Sequence, residues 1–386
     1  MGERGVMTVP PAPLPGLREL LSAVLASGSN GERWLDDRGG RRTVVRLFRR
    51  ASVGLAAGVE AYRMAKNADR VTLWAPSYFC DEALGPLRSH ELRIRFYPID
   101  RTLAPDWHTL DEQVRREAGP QILMLVHYFG FPNQTHEARA FCDRVGMELL
   151  EDAAHVAVPI SSCGDGDFAV FSPRKILAVP AGGVLLVPEE WQDFVPLGTS
   201  RSFLRENLTW LVRRLLQQLL IWLDLPWHRT WRGRDDETRD RRSPRSQDDW
   251  PECDTATRKL LEVVSRRIGT VIERRRQHYL TLQQWSRDVR GAQAFFGALP
   301  DGVCPYAFPL LVDEGCAKVV SELRAHGIPA GRWPDLSPEV LAAGDDYAVA
   351  LDVQARLVLL PVHQSLSHEH VATVGRQLRA ALSASV

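Results

Sequence analysis

Apolar positions recur at helical spacing from about Ser52 to Met64, then give way to a short β-type run from Arg70 to Ala75 that Pro76 stops. Further strand-like runs follow at Arg93 to Tyr97, Gln121 to His127, Met147 to Leu150, Ala169 to Phe171 and Gly183 to Val187. Helical stretches separate them, among them Leu110 to Glu117 and Glu137 to Val145. Strands alternating with helices predict a largely parallel sheet, with ligands collecting in the loops beyond the strand ends.

The pattern changes after residue 200. Asn207 to Leu225 is rich in leucine and tryptophan but is interrupted by Arg213, Arg214, Gln217 and Gln218. It predicts a broad-faced amphipathic helix rather than a membrane span. Arg229 to Asp249 is polar and dense in arginine, the composition of a mobile loop. Thr255 to Trp285 reads as one long helix. Tyr306 to Val312, Ala317 to His326, Leu357 to Pro361 and Ser367 to Leu382 then predict a smaller α+β unit. The expected division is residues 1–200 as an N-terminal arm and large domain, 201–245 as an inserted helix and loop, and 246–386 as a small C-terminal domain.

Composition narrows the classes. With 386 residues, 45% of them hydrophobic and 25% charged, the chain can bury a large core. Its 48 basic side chains balance 48 acidic ones, so no overall field draws it to nucleic acid or an anionic membrane. The cysteines stand at positions 80, 142, 163, 253, 304 and 316, without the spacing of a zinc site or a disulfide framework. That usage fits a reducing cytoplasm. The segment Met1 to Pro15 carries no apolar core of signal-peptide length and reads as an irregular arm.

The chemistry concentrates on two positions. Lys175 stands in Phe171-Ser172-Pro173-Arg174-Lys175, ahead of Gly182-Gly183, while Asp152 belongs to the run Glu148-Leu149-Leu150-Glu151-Asp152-Ala153-Ala154-His155. An acid at a strand end and a lysine one unit later can hold the two ends of a pyridoxal phosphate ring. The amine condenses with the cofactor aldehyde, and the carboxylate keeps the pyridine nitrogen protonated. Alone, the acid is a solvated strand terminus and the lysine is surface charge; their joint order carries the reading. Ser172 to Lys175 also fits the Ser-x-x-Lys of penicillin-binding acyl enzymes, but the companion motifs are missing. Gly164-Asp165-Gly166-Asp167-Phe168-Ala169 matches a dinucleotide fingerprint in form only, since it precedes a strand.

Val126-His127-Tyr128-Phe129-Gly130-Phe131-Pro132, Glu151 to His155, Gly166 to Ser172 and Gly182-Gly183 together resemble the fold type I pyridoxal phosphate enzymes. Within them the likeness is to the DegT/DnrJ/EryC1/StrS aminotransferases, from roughly residue 40 to the closing segment Leu359 to Gln364 and the helix after it. The resemblance implies an α/β, aspartate aminotransferase-like fold and a homodimer. It also implies transfer of an amino group, by default from glutamate, to a keto sugar nucleotide or a natural-product intermediate. Elimination, dehydration or decarboxylation at an amino-acid-like substrate is the alternative.

The same resemblance assigns roles. Lys175 carries the internal aldimine and then acts as base, Asp152 meets the ring nitrogen, and His155 stands near the phenolic oxygen. Ala51 and Ser52 at a helix N-terminus and Ser172 are the expected phosphate donors. Tyr78 or Phe79 covers one face of the ring. His127, Trp333 and Arg332 are candidate substrate contacts, against packing or surface roles. Two departures stand out: Arg50-Ala51-Ser52 replaces the family's Ser-Gly-Thr corner, and its Asn-Tyr-Arg-Met element is not recognisable between Thr255 and Arg275.

Overall fold

The computed structural model describes residues 9–25, 43–88, 92–157, 165–198, 204–223, 250–287 and 289–383. Seven strands make the larger sheet: β1 (Thr43–Phe48), β2 (Val71–Pro76), β3 (Leu92–Tyr97), β4 (Gln121–Val126), β5 (Glu148–Ala153), β6 (Phe168–Phe171) and β7 (Gly183–Pro188). Their order is β1-β7-β6-β5-β4-β2-β3. From β3 to β6 every pairing is parallel, and β7 and β1 then add antiparallel at one edge. β2, β4 and β6 are buried along their whole length, as apolar strands covered on both faces must be.

The helices of this half are α1 (Leu17–Leu25), α2 (Ala51–Ala65), α3 (Asp81–Leu84), α4 (Trp107–Val114), α5 (Thr135–Val145) and α6 (Pro173–Ile176). α4 starts where the Asp106 side chain accepts the Thr109 N–H, and α5 ends at Gly146 in the left-handed region. α2 lies close on the sheet because Gly58 has no side chain. A Cβ there would sit 2.9 Å from Leu185 and 3.0 Å from Phe168.

The rest of the chain holds α7 (Leu204–Trp222), α8 (Thr255–Ser265), α9 (Ile268–Arg287), α10 (Cys316–Ala325), α11 (Pro338–Ala343), α12 (Ala348–Arg356) and α13 (His368–Ser383). With them stand β8 (Ala292–Ala294), β9 (Ala307–Val312), β10 (Gly331–Arg332) and β11 (Leu357–Pro361), an antiparallel sheet in the order β10-β11-β9-β8. The single helix expected over Thr255 to Trp285 is two. Asp254 caps α8 through the Thr257 N–H, and a turn at Arg266 and Arg267 redirects the chain. α8 packs on α1 and α9 on α13, so an unbroken apolar period hides a change of neighbour. The arginine-rich loop expected at Arg229 to Asp249 lies outside the described residues.

Buried histidines give this fold a pH signature. Burial pushes His363 from its ordinary 6.5 down to about 3, with Arg275, His278 and Arg214 opposing its charge. A depressed folded-state value means that the unfolded chain takes up a proton below pH 6.5 while the folded chain refuses it. Stability is therefore full above pH 6.5 and is lost as pH falls toward 3. From pH 7.5 to 5.5, His363 alone accounts for a loss of about 1.4 kcal/mol. Urea unfolding of His363→Gln at both pH values is expected to show a pH-dependent loss smaller by that amount.

Candidate active site

The ends of the parallel strands, the start of α2 and the α6 turn open on one cavity of about 740 Å³. Asp152 reaches it from the end of β5, His155 from the turn that follows, and Ser172 and Lys175 from the connection between β6 and β7. Ala51 and Ser52 enter from the start of α2, Phe79 from the loop after β2, His127 from the end of β4, and Arg332 and Trp333 from β10 and its continuation. Parallel strands with helical returns force this convergence, because their C-terminal ends lie on one side.

Lys175 is held from several sides. Its Nζ lies 3.1 Å from His155 Nε2. The Phe129 backbone N–H donates to His155 Nδ1 at 3.2 Å, so the hydrogen-bond network places the ring proton on Nε2, facing the lysine amine. That donor is aimed by a left-handed turn: Phe129 has φ 58° and Gly130 φ 88°. Tyr306 stacks on His155 at 4.4 Å and 1° between planes, and the lysine nitrogen lies 5.9 Å from the Tyr306 ring centre. Burial and the neighbouring Lys175 push His155 well below its ordinary value, which keeps it neutral. Behind the lysine, the buried Arg275 donates to the carbonyls of Ile176, Pro305 and Tyr306 and to Gln364 Oε1.

Asp152 is buried, with Oδ1 accepting the Ala154 N–H at 2.9 Å. Burial pushes its carboxyl above the ordinary range, while Lys175, the Ala154 N–H and His127 pull the other way. His127 does not have the geometry of a substrate contact. Its Nδ1 accepts the Asn133 N–H at 3.0 Å and its Nε2 meets Glu151 Oε2 at 2.7 Å, which occupies both ring nitrogens. Both partners are fully buried, so the pair forms the wall behind Asp152. Glu151, Tyr306 and Arg275 are the site residues that sequence reasoning passed over. Glu151 alone left a signal, as a second acid beside Asp152 in a strand with no reason to bury one.

Of the aromatic pair, Phe79 lines the cavity and Tyr78 does not. Tyr78 stacks on Trp333 at 4.8 Å and 20°, and its carbonyl accepts from the Tyr128 hydroxyl, so packing explains it. Trp333 is 8% exposed with its indole nitrogen unpartnered, whereas Arg332 is exposed. The start of α2 has no side-chain cap, which leaves first-turn N–H groups to a ligand. Gly183 makes this corner possible. A Cβ there would lie 2.2 Å from the Arg50 backbone carbon.

Residues 90–193 match the DegT/DnrJ/EryC1/StrS aminotransferase family. A relative, dTDP-4-dehydro-2,3,6-trideoxy-D-glucose 4-aminotransferase of Saccharopolyspora spinosa, is 27% identical over 331 residues, 80% of this chain and 77% of that one. Helicobacter pylori PseC, an aminotransferase involved in the biosynthesis of pseudoaminic acid, superposes with TM-score 0.71 at 14% identity, over 98% of this chain and 100% of its own. E. coli GDP-4-keto-6-deoxy-D-mannose-3-dehydratase with bound hydrated PLP superposes with TM-score 0.68 at 15% identity, over 96% and 100%. The architecture is fold type I.

The cavity fits pyridoxal phosphate. It combines an amine, a buried carboxylate coupled to that amine, and an uncapped helix N-terminus for a phosphate. Gly183→Ala should push the start of α2 outward. The expected outcome is a stability loss of about 1–3 kcal/mol in urea, together with faster loss of cofactor on dialysis than in the parent.

Proposed function

We propose that the enzyme transfers an amino group from an amino-acid donor, glutamate by default, to a keto sugar nucleotide or a related keto intermediate. The observation that carries this reading is the meeting of Lys175 and Asp152 on one cavity with coupled charges. The activities named for the S. spinosa and H. pylori proteins support it. The cavity wall also holds six arginines and Lys175 against Glu82 and Asp152, a balance suited to phosphate-bearing ligands.

When bound, pyridoxal phosphate supplies an electron sink for a substrate carbanion. Lys175 Nζ would carry the cofactor and then move the proton at the reacting carbon. His155, neutral and with its proton on Nε2, would orient that amine without competing for its proton. Asp152 would hold the ring nitrogen and Phe79 one ring face, with Ser52, Ala51 and Ser172 on the phosphate. The dehydratase among the structural neighbours favours a second reading, elimination from the same site.

Mixing the loaded enzyme with L-glutamate separates the two. Loss of the yellow absorbance with formation of pyridoxamine phosphate and 2-oxoglutarate supports transamination; an unchanged spectrum counts against it. Lys175→Ala should lower turnover by roughly 10³-fold or more. Asp152→Asn should lower it by about 10²- to 10³-fold while the protein stays folded.

A homodimer is the assembly we assign. α7 and the residue that follows it turn an apolar stripe outward: Leu208, Val212, Leu215, Leu216, Leu219 and Leu223 are exposed, and Trp222 is 80% exposed. The leucine and valine positions read the same in both directions about a point between Leu215 and Leu216. Two antiparallel copies would therefore match Leu208 with Leu223, Val212 with Leu219 and Leu215 with Leu216. Among the described residues no helix is long and apolar enough to cross a membrane, and Cys142, Cys253, Cys304 and Cys316 are free thiols, as a cytoplasmic enzyme would keep them. Light scattering should give twice the 43.4 kDa chain mass, and Leu216→Asp should shift it toward the monomer; a monomeric parent would overturn the assignment.

A further inference from the structure

α7 turns its polar side toward the protein, and that side carries groups without partners. Arg214 lines the cavity that holds Lys175. Its Nη1 donates to Gln217 Oε1 at 2.8 Å, but its Nε is buried with no hydrogen-bond partner, and no carboxylate pairs with it among the described residues. Gln217, one turn further on, is fully buried, and its Nε2 also has no partner. His363 lines the same cavity. Its Nε2–H donates to the Pro10 carbonyl at 2.9 Å, which leaves Nδ1 as a buried lone pair with nothing to accept from.

Taking a guanidinium out of water without a counter-ion is costly, and unpaired buried donors add to the cost. Burial pushes Arg214 down to about 10, with Arg213 nearby adding to the shift. Docking of α7 does not account for the arrangement. The helix is fastened elsewhere, by Asn207 to Asp254 at 2.9 Å, by Gln218 to the Pro15 carbonyl at 2.6 Å and by Trp210 against the cluster around Leu260 and Leu261. Nor does Arg214 repeat the role of Arg275, whose donors are taken up by carbonyls and Gln364. An anion in the cavity would supply the counter-ion that Arg214 lacks, whereas the His363 lone pair calls for a hydrogen donor beside it.

We propose that Arg214, held by the Gln217 side chain behind it, forms an oxyanion subsite on the α7 wall of the cavity, binding a carboxylate or phosphate of the substrate, with His363 Nδ1 accepting a neighbouring hydroxyl or ammonium hydrogen. The subsite stands on α7 and the C-terminal segment, whereas the cofactor's phosphate is assigned to the start of α2. Calling its ligand a substrate rests on the aminotransferase reading; the binding itself does not.

Isothermal titration of the pyridoxal phosphate-loaded enzyme tests it, with 2-oxoglutarate as the dicarboxylate probe and UDP as the nucleoside diphosphate probe. Neither needs turnover, so the result stands apart from the outcome of the L-glutamate experiment. Arg214→Gln should weaken one of the two probes by roughly 10- to 100-fold, Arg214→Lys should restore part of the loss, cofactor content should match the parent, and the urea midpoint should be no lower than the parent's. The weakened probe identifies the source of the anion. In the active enzyme the same variant should raise KM for that substrate more than it lowers kcat. Equal affinity of parent and Arg214→Gln for both probes overturns the proposal. So does loss of cofactor from Arg214→Gln with probe affinity unchanged, which would move Arg214 to the cofactor phosphate.

Discussion

The Phe129 turn joins the parts of the site. Its left-handed backbone directs one N–H at His155 and one carbonyl at the Tyr306 N–H, which donates at 2.8 Å. Gly130 beside it admits the Cys304 carbonyl, which a Cβ would meet at 2.3 Å. A residue held at positive φ without being glycine costs on the order of 1–3 kcal/mol and persists only where its surroundings fix it. Here they do: the loop after β4, the turn after β5 and the segment before β9 close on one another at this point. Loosening it would free His155 to turn, and with it the proton that faces Lys175.

The larger sheet was legible because its strands announce themselves. Gln121 to Val126 and Gly183 to Val187 are apolar runs between polar helices, and burial on both faces demands that composition. β1 gave less away. It pairs antiparallel at the edge, with four half-buried positions and an arginine in its middle. The break between α8 and α9 was hidden for a different reason: the turn residues Arg266 and Arg267 are no helix breakers, and Gly269 just past them lies inside the first turn of α9, so the two helices keep one period.

The site was legible to the depth of its chemistry and no deeper. Lys175, Asp152 and His155 were read from their order in the chain, and the fold brings the three to one cavity. Glu151, Arg275 and Tyr306 act through contacts made by distant segments. Arg275 reaches Ile176 from 99 residues away, and no local pattern encodes such a meeting. Tyr78 and Phe79 show the same limit: neighbours in sequence, they part when Tyr78 turns to Trp333 and Phe79 to the cavity.

Arg275 also has a mechanical side. One rigid, planar head bridges the carbonyls around Lys175 to those of Pro305 and Tyr306, while Gln364 grips both that head and the Ile176 carbonyl. The long helix, the smaller sheet's entry strand and the reactive lysine are thereby linked like parts of one lever. Any tilt of the C-terminal half travels to Lys175 as a tug on its own backbone, so the pocket's openness and the lysine's position shift together.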